Sequence, residues 1–93
     1  MSINDLILLS ILSSKNELPV SEIIKKFRKL ELEKLPTRTE IYSRLAILST
    51  RKLVETSWKK GQKLYKSSDI GKKTVEIFQI NLNQLNQNEP KSN

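Results

Sequence analysis

Three lysines, Lys59, Lys60 and Lys63, crowd around Gly61 in the stretch WKKGQKLYKSSDIG, which ends on Gly71, the only other glycine. Ammonium groups around a turn act as point charges for phosphate or carboxylate. Arg38, Arg44 and Arg51, spaced through TRTEIYSRLAILSTR, add planar guanidinium groups that can grip a phosphate or a guanine edge bidentately. Other chemistry is poorly supplied. The chain has no cysteine and no histidine, so zinc sites and Ser-His or Cys-His nucleophile pairs lack their usual members. Asp5, Asp69 and the eight glutamates show no paired spacing on a shared face, and no glycine-rich phosphate loop is present. The residues therefore predict binding rather than catalysis: no enzyme, no cofactor, no metal.

The placement of charge sharpens this. The formal charge is +7, and residues 36–67 alone carry a net +6. A positive field confined to one third of a chain predicts a polyanionic partner. The longest apolar run, LILLSIL, is broken by Ser10 and falls far short of the ~20 residues that span a membrane. It has no basic leader or small-residue cleavage site, so a soluble, cytoplasmic protein without membrane contact is expected.

These side chains need elements to position them. At 93 residues the chain makes one domain, with a small core that a subunit partner would enlarge. Residues 3–13, INDLILLSILS, are helical in length and apolar on nearly every side, which predicts burial all round and hence a second subunit. After the polar turn SKNELP, the segment VSEIIKKFRKL forms a helix on Ile23, Ile24, Phe27 and Leu30, with Lys25, Lys26, Arg28 and Lys29 on its other face. Thr37 and Glu40 fit a capping box for a helix through about Arg51, whose core stripe is Ile41, Leu45 and Leu48. LVETSW and KLYKS then change period to two and read as a hairpin turning at Gly61. Ser68 is placed to cap a last helix from about Asp69 to Asn86, leaving Gly71 in its first turn, where a missing side chain permits close approach to the hairpin. Val75, Phe78, Leu82 and Leu85 form a short a/d seam. With Leu6 and Leu9 of the first helix, these are the expected dimer-interface residues, and residues 87–93 are expected to form a polar, disordered tail after a domain of residues 1–86.

The order helix, helix, capped helix, basic-tipped hairpin, helix resembles a winged helix-turn-helix, mainly α with a small β wing. The match lies in IYSRLAILSTRKLVETSWKKGQKLYKSSDIGKK, which resembles PadR-like regulators: Tyr42, Leu45 and Leu48, then Leu53 and Val54 opening a strand, then Tyr65, Ser68 and Gly71. Two positions depart from that pattern. Lys52 stands where the resemblance implies glycine, which disfavours a left-handed helix cap. Ser67 stands where it implies an apolar residue, which weakens the hairpin's packing.

The resemblance implies a homodimer with the helix over 37–51 in the major groove and the wing over 58–64 on phosphate or in the minor groove. Groove contacts then fall to Arg38, Thr39, Tyr42 and Ser43, with Ala46 able to meet a thymine methyl. Arg38 could equally hold phosphate, and Tyr42 could pack on the wing strands. Arg44 and Arg51 either meet the DNA backbone or pair with Glu40 and Glu55. Lys59, Lys60 and Lys63 fall on phosphates, while Trp58 is expected as an aromatic anchor where the strand leaves the core, with base stacking the other reading. Three roles fit such a molecule: a transcriptional regulator, a segregation protein that binds a partition site and assembles along DNA, and an adaptor for a partner protein. Small size and Lys/Ile/Asn-rich composition resemble proteins of archaeal plasmids and viruses, including PadR-like plasmid-partition adaptors, and Ile47, apolar on a polar flank, hints at a further protein contact.

Overall fold

The structure, a computed structural model, describes residues 1–14 and 16–88, with side chains as far as Gln79. Its elements are α1 (Ile3–Ile11), α2 (Val20–Lys29), α3 (Arg38–Thr50), β1 (Val54–Lys59), β2 (Gln62–Ser67) and α4 (Asp69–Asn88), in the order expected for a winged helix. The tail expected over 87–93 falls largely outside the described residues. No described helix is long and apolar enough to cross a membrane.

Three of the four helices start on a side-chain cap. Ser2 and Asp5 make a full capping box on α1, the Ser2 hydroxyl accepting from the Asp5 N–H at 3.3 Å and the Asp5 carboxylate accepting from the Ser2 N–H at 3.2 Å. Thr37 caps α3 by accepting from the Glu40 N–H at 3.1 Å, and its hydroxyl donates to the Glu40 carboxylate. Ser68 caps α4 through the Gly71 N–H at 3.1 Å.

The core gathers Leu8, Leu9 and Leu12 of the first helical segment, Ile23 and Phe27 of α2, and Ile41, Leu45 and Leu48 of α3, closed by Val54, Tyr65 and Val75. α1 is packed by α2, α3, β2 and α4. One subunit therefore buries Leu8 and Leu9 of this helix, while Leu6, Ile7 and Ile11 are half-buried and Ile3 is exposed. Leu9 is fully buried in the subunit's own core, where a second copy cannot reach it, and Val75 is nearly buried in the same core.

Two sequence departures are absorbed by hydrogen bonds. Lys52 does take the left-handed conformation, at φ 62°. Its N–H donates to Ser49 O and the Leu53 N–H to Leu48 O, which is the pairing that closes a helix in a Schellman motif. Ser67 does not leave a gap: its hydroxyl donates to Leu9 O at 2.8 Å and its N–H to Leu12 O at 2.9 Å. Those carbonyls end α1, where no intrahelical donor remains, so a serine joins strand to helix where an apolar residue could not.

The hairpin pairs Lys59 with Gln62 across a two-residue turn. Lys60 (φ 51°) and Gly61 (φ 74°) are both left-handed, as the turns that match strand twist require. Leu18, expected in a turn, forms an isolated bridge to the hairpin: it exchanges both backbone hydrogen bonds with Tyr65, at 2.8 and 2.9 Å. This fixes β2 against the start of α2. Gly71 meets the expected close approach, since a β-carbon there would lie 2.2 Å from Leu53 O.

Two substitutions should therefore move stability in opposite directions. Gly71→Ala should cost about 2–3 kcal/mol by overpacking against a backbone carbonyl. Lys52→Gly should gain about 1 kcal/mol by relieving a left-handed side-chain-bearing residue. At ~4–8 °C per kcal/mol for a domain this small, thermal denaturation resolves both.

Candidate nucleic-acid interface

Burial of the Ile41, Leu45 and Leu48 stripe turns the opposite side of α3 to solvent, so Arg38, Thr39, Tyr42, Ser43 and Ala46 are all exposed. Ile47 is half-buried. The hairpin rises beside this face. Strand alternation puts Val54, Thr56 and Trp58 of β1 on one side with Ser67, Tyr65 and Lys63 of β2. At the base that side covers the core, through Val54, Tyr65 and Ser67. At the tip it overhangs a cleft of about 380 Å³, lined by Arg38 and Tyr42 of α3, by Trp58, Gly61, Gln62, Lys63 and Tyr65 of the hairpin, and by Pro19, Val20 and Ser21 where α2 begins. Helix and hairpin thus frame one concave surface.

Tyr42 is 47% exposed and stands close enough to Tyr65 for its charge to help hold the Tyr65 hydroxyl above the usual phenol range, an effect due mainly to burial. Trp58 is not the anchor that its residue type implies. It is 68% exposed, because β1 has already run past the core at this position. The Lys63 ammonium lies 5.6 Å from the centre of the Tyr65 ring, a cation–π contact that leaves its charge available.

The basic residues separate into paired and free. Arg44 pairs with neither Glu40 nor Glu55. Its guanidinium donates Nε and Nη2 to the two Asp5 oxygens, at 2.7 and 2.5 Å, joining α3 to α1. Asp5 is 0% exposed. The hydrogen bond from Arg44 holds its carboxyl below the usual range, aided by the Ser2 N–H and opposed by burial, and Asp5 in turn raises Arg44. Lys59 also turns away from the cleft. Glu17 accepts from the Ser57 hydroxyl at 2.8 Å and pairs with Lys59 at 3.5 Å and Lys66 at 4.0 Å; the Ser57 bond, then Lys59, keep it ionised below the usual range. Lys66 also meets Glu55 at 3.6 Å. Arg38, Lys60 and Lys63 make no ion pair among the described residues. Neither Arg44 nor Lys59 is therefore a free cation here, whereas Arg38 and Lys63 face each other across the cleft.

The residues expected at a subunit interface divide. Leu6, Phe78 and the core residue Val75 line a groove of about 170 Å³ between α1 and α4, together with Ile3, Ile7, Ser10 and Gln79. Leu82 and Leu85 lie outside the residues whose side chains are described. Ile3, Ile70 and Ile77 stand exposed.

No protein-family model and no curated protein matches the sequence. Solved structures match its fold. A PadR family transcription regulator from Clostridium difficile superposes with a TM-score of 0.80 at 21% identity, over 92% of this chain and 93% of that one. A PadR-like transcription factor from Bacteroides fragilis gives a TM-score of 0.80 at 20% identity, over 91% and 84%. Bacillus subtilis PadR, solved with operator DNA, gives 0.72 at 23% identity, over 86% of this chain and 48% of its own. These likenesses define the architecture as a PadR-like winged helix, and they extend over the terminal helices that the sequence resemblance reached only in outline.

The Asp5–Arg44 pair yields a pH signature. A carboxyl held below its unfolded value, about 3.9 for Asp, contributes stability that is complete above that value and is lost as pH falls through the folded one. The stability difference between the wild type and Asp5→Asn should stay constant from neutral pH to about pH 5 and close below about pH 4. Urea denaturation across pH checks this, and a difference that persists in acid would contradict it.

Proposed function

We propose that the protein is a double-stranded DNA-binding homodimer acting as a transcriptional regulator. One observation carries this reading: the exposed face of α3 and the overhanging side of the hairpin line a single cleft, with Arg38 and Lys63 unpaired among the described residues on its two sides. A helix can enter the major groove while an adjacent ribbon tip holds the flanking backbone. Thr39, Tyr42, Ser43 and Ala46 supply short polar and apolar contacts suited to base edges, and Arg38, at the first turn, reaches either a guanine or the phosphate beside it. The complex of Bacillus subtilis PadR with operator DNA supports this use of the fold.

The dimer rests on the groove between α1 and α4. Exposed Ile3 borders a channel already half-formed by Leu6, Ile7 and Phe78, and a second copy laid across it would extend one core into another. Leu82 and Leu85 continue the same heptad spacing in the sequence. Sedimentation at tens of micromolar should give a dimer, and Leu6→Asp should give a folded monomer.

A segregation role has one observation in its favour. Ala46, Ile47, Thr50 and Arg51 border a shallow groove of about 220 Å³ at the far end of α3, a surface able to meet a neighbouring molecule on DNA. Footprinting the DNA beside the protein's own gene across a titration separates the roles: a fixed ~20 base pairs, about two turns, for a regulator, and continuous extension for an assembling protein.

Salt dependence tests the interface residue by residue. Lys60→Ala and Lys63→Ala should each weaken binding to every duplex and reduce the slope of log K against log salt by roughly one. Arg38→Ala should also narrow the preference between sites, whereas Lys59→Ala should reduce the slope less than either wing-tip change because Glu17 offsets part of that charge. Unchanged slopes in the Lys60 and Lys63 variants would remove the wing from phosphate.

A further inference from the structure

The two sides of the hairpin differ in chemistry. One carries Ser57, Lys59 and Lys66 gathered on Glu17, with Glu55 beside Lys66. The other carries Trp58 and Lys63, directly paired across the strands, and no carboxylate lines the cleft below them. The cleft side therefore favours a polyanion, whereas on the other side the lysine charge is balanced by carboxylates. Trp58 sits on the cleft side, at the rim, with most of its indole in solvent. An exposed tryptophan has no packing reason to occupy an edge position in a two-stranded ribbon. Its apolar face becomes useful only when something covers it.

Resting on the DNA-binding reading above, we infer that Trp58 is the apolar contact of the wing, laying its indole on a deoxyribose of the duplex backbone while Lys63 and Arg38 hold the adjacent phosphate. The cleft's geometry favours sugar over base. Duplex bases are already stacked and present only their edges, whereas the backbone offers phosphate and apolar ribose side by side, as the cleft offers the cations Lys63 and Arg38 beside the indole of Trp58. The contact adds affinity without charge, so it should be independent of salt.

Trp58 is the chain's single tryptophan, which gives the test its own signal. The full-length protein is titrated at low salt with a mixed-sequence duplex of about two turns and with one of its strands. Binding is followed by gel shift, and Trp58 is followed by red-edge-excited emission and acrylamide quenching. Duplex binding should change the emission and shield Trp58 from acrylamide, more than the single strand does. Trp58→Ala should weaken duplex binding roughly tenfold with an unchanged salt slope and an unchanged thermal midpoint, and Trp58→Phe should recover most of the loss. Duplex binding with emission and quenching unaltered would overturn the inference and leave the proposed function standing. Stronger shielding by the single strand would assign Trp58 to base stacking and overturn it as well. Absence of any duplex binding would overturn both.

Discussion

The turn between α3 and β1 holds the rest of the molecule in register. Lys52 bends the chain through a left-handed residue, and the Leu53 N–H returns to Leu48 O. The carbonyls of this turn then face α4: Lys52 O accepts from the Ser68 hydroxyl at 2.7 Å and Leu53 O from the Ser68 N–H at 3.0 Å. Gly71 lies against that same Leu53 carbonyl. One serine and one glycine of α4 therefore fix the angle at which the hairpin leaves α3. Without that angle, Lys63 and Arg38 would not share a cleft. The bonds are backbone-centred, so the arrangement survives a lysine where a left-handed glycine is the commoner solution.

Electrostatics then decides which face is used. Eight basic residues lie between positions 36 and 67, and counting them overstates the field at the cleft. Arg44 is withdrawn to a buried aspartate, and Lys59 and Lys66 to Glu17 and Glu55. The Arg44 pair is worth more as a positioning contact than as surface charge, because it anchors α3 to α1 through an aspartate that also caps α1. Removing one partner of such a pair strands the other. Charge is thus sorted by the fold: some holds elements together, and the remainder faces outward on the side where helix and hairpin meet.

Local signals were the legible ones. The Ile41–Leu45–Leu48 stripe, the Thr37 and Ser68 caps and the turn at Gly61 each rest on neighbours within a few residues, and each stands where sequence pattern put it. Contacts across long separations were not legible. Nothing near Asp5 or Arg44 announces that they meet, and Glu17 sits in a polar segment whose partners lie in a hairpin far along the chain. Leu18 gave no strand signal because a single bridge to Tyr65 has no period. Some signals were available and unread: the spacing of Ser2 and Asp5 fits a capping box, and counting alternate residues from buried Val54 places Trp58 on the core side yet beyond the core's edge. The apolar character of α1 serves two surroundings, since four elements of the same subunit pack on it and bury Leu8 and Leu9 while Ile3 is left exposed.

The central claim is that α3 and the hairpin engage one duplex together, through the cleft they share. Backbone amide chemical-shift mapping of the labelled protein on titration with duplex DNA tests it most directly. The account predicts perturbations concentrated over Arg38–Ala46 and Trp58–Lys63, moving with a common titration curve. Perturbations confined to the basic face of α2, or present on the helix while the hairpin is silent, would contradict it.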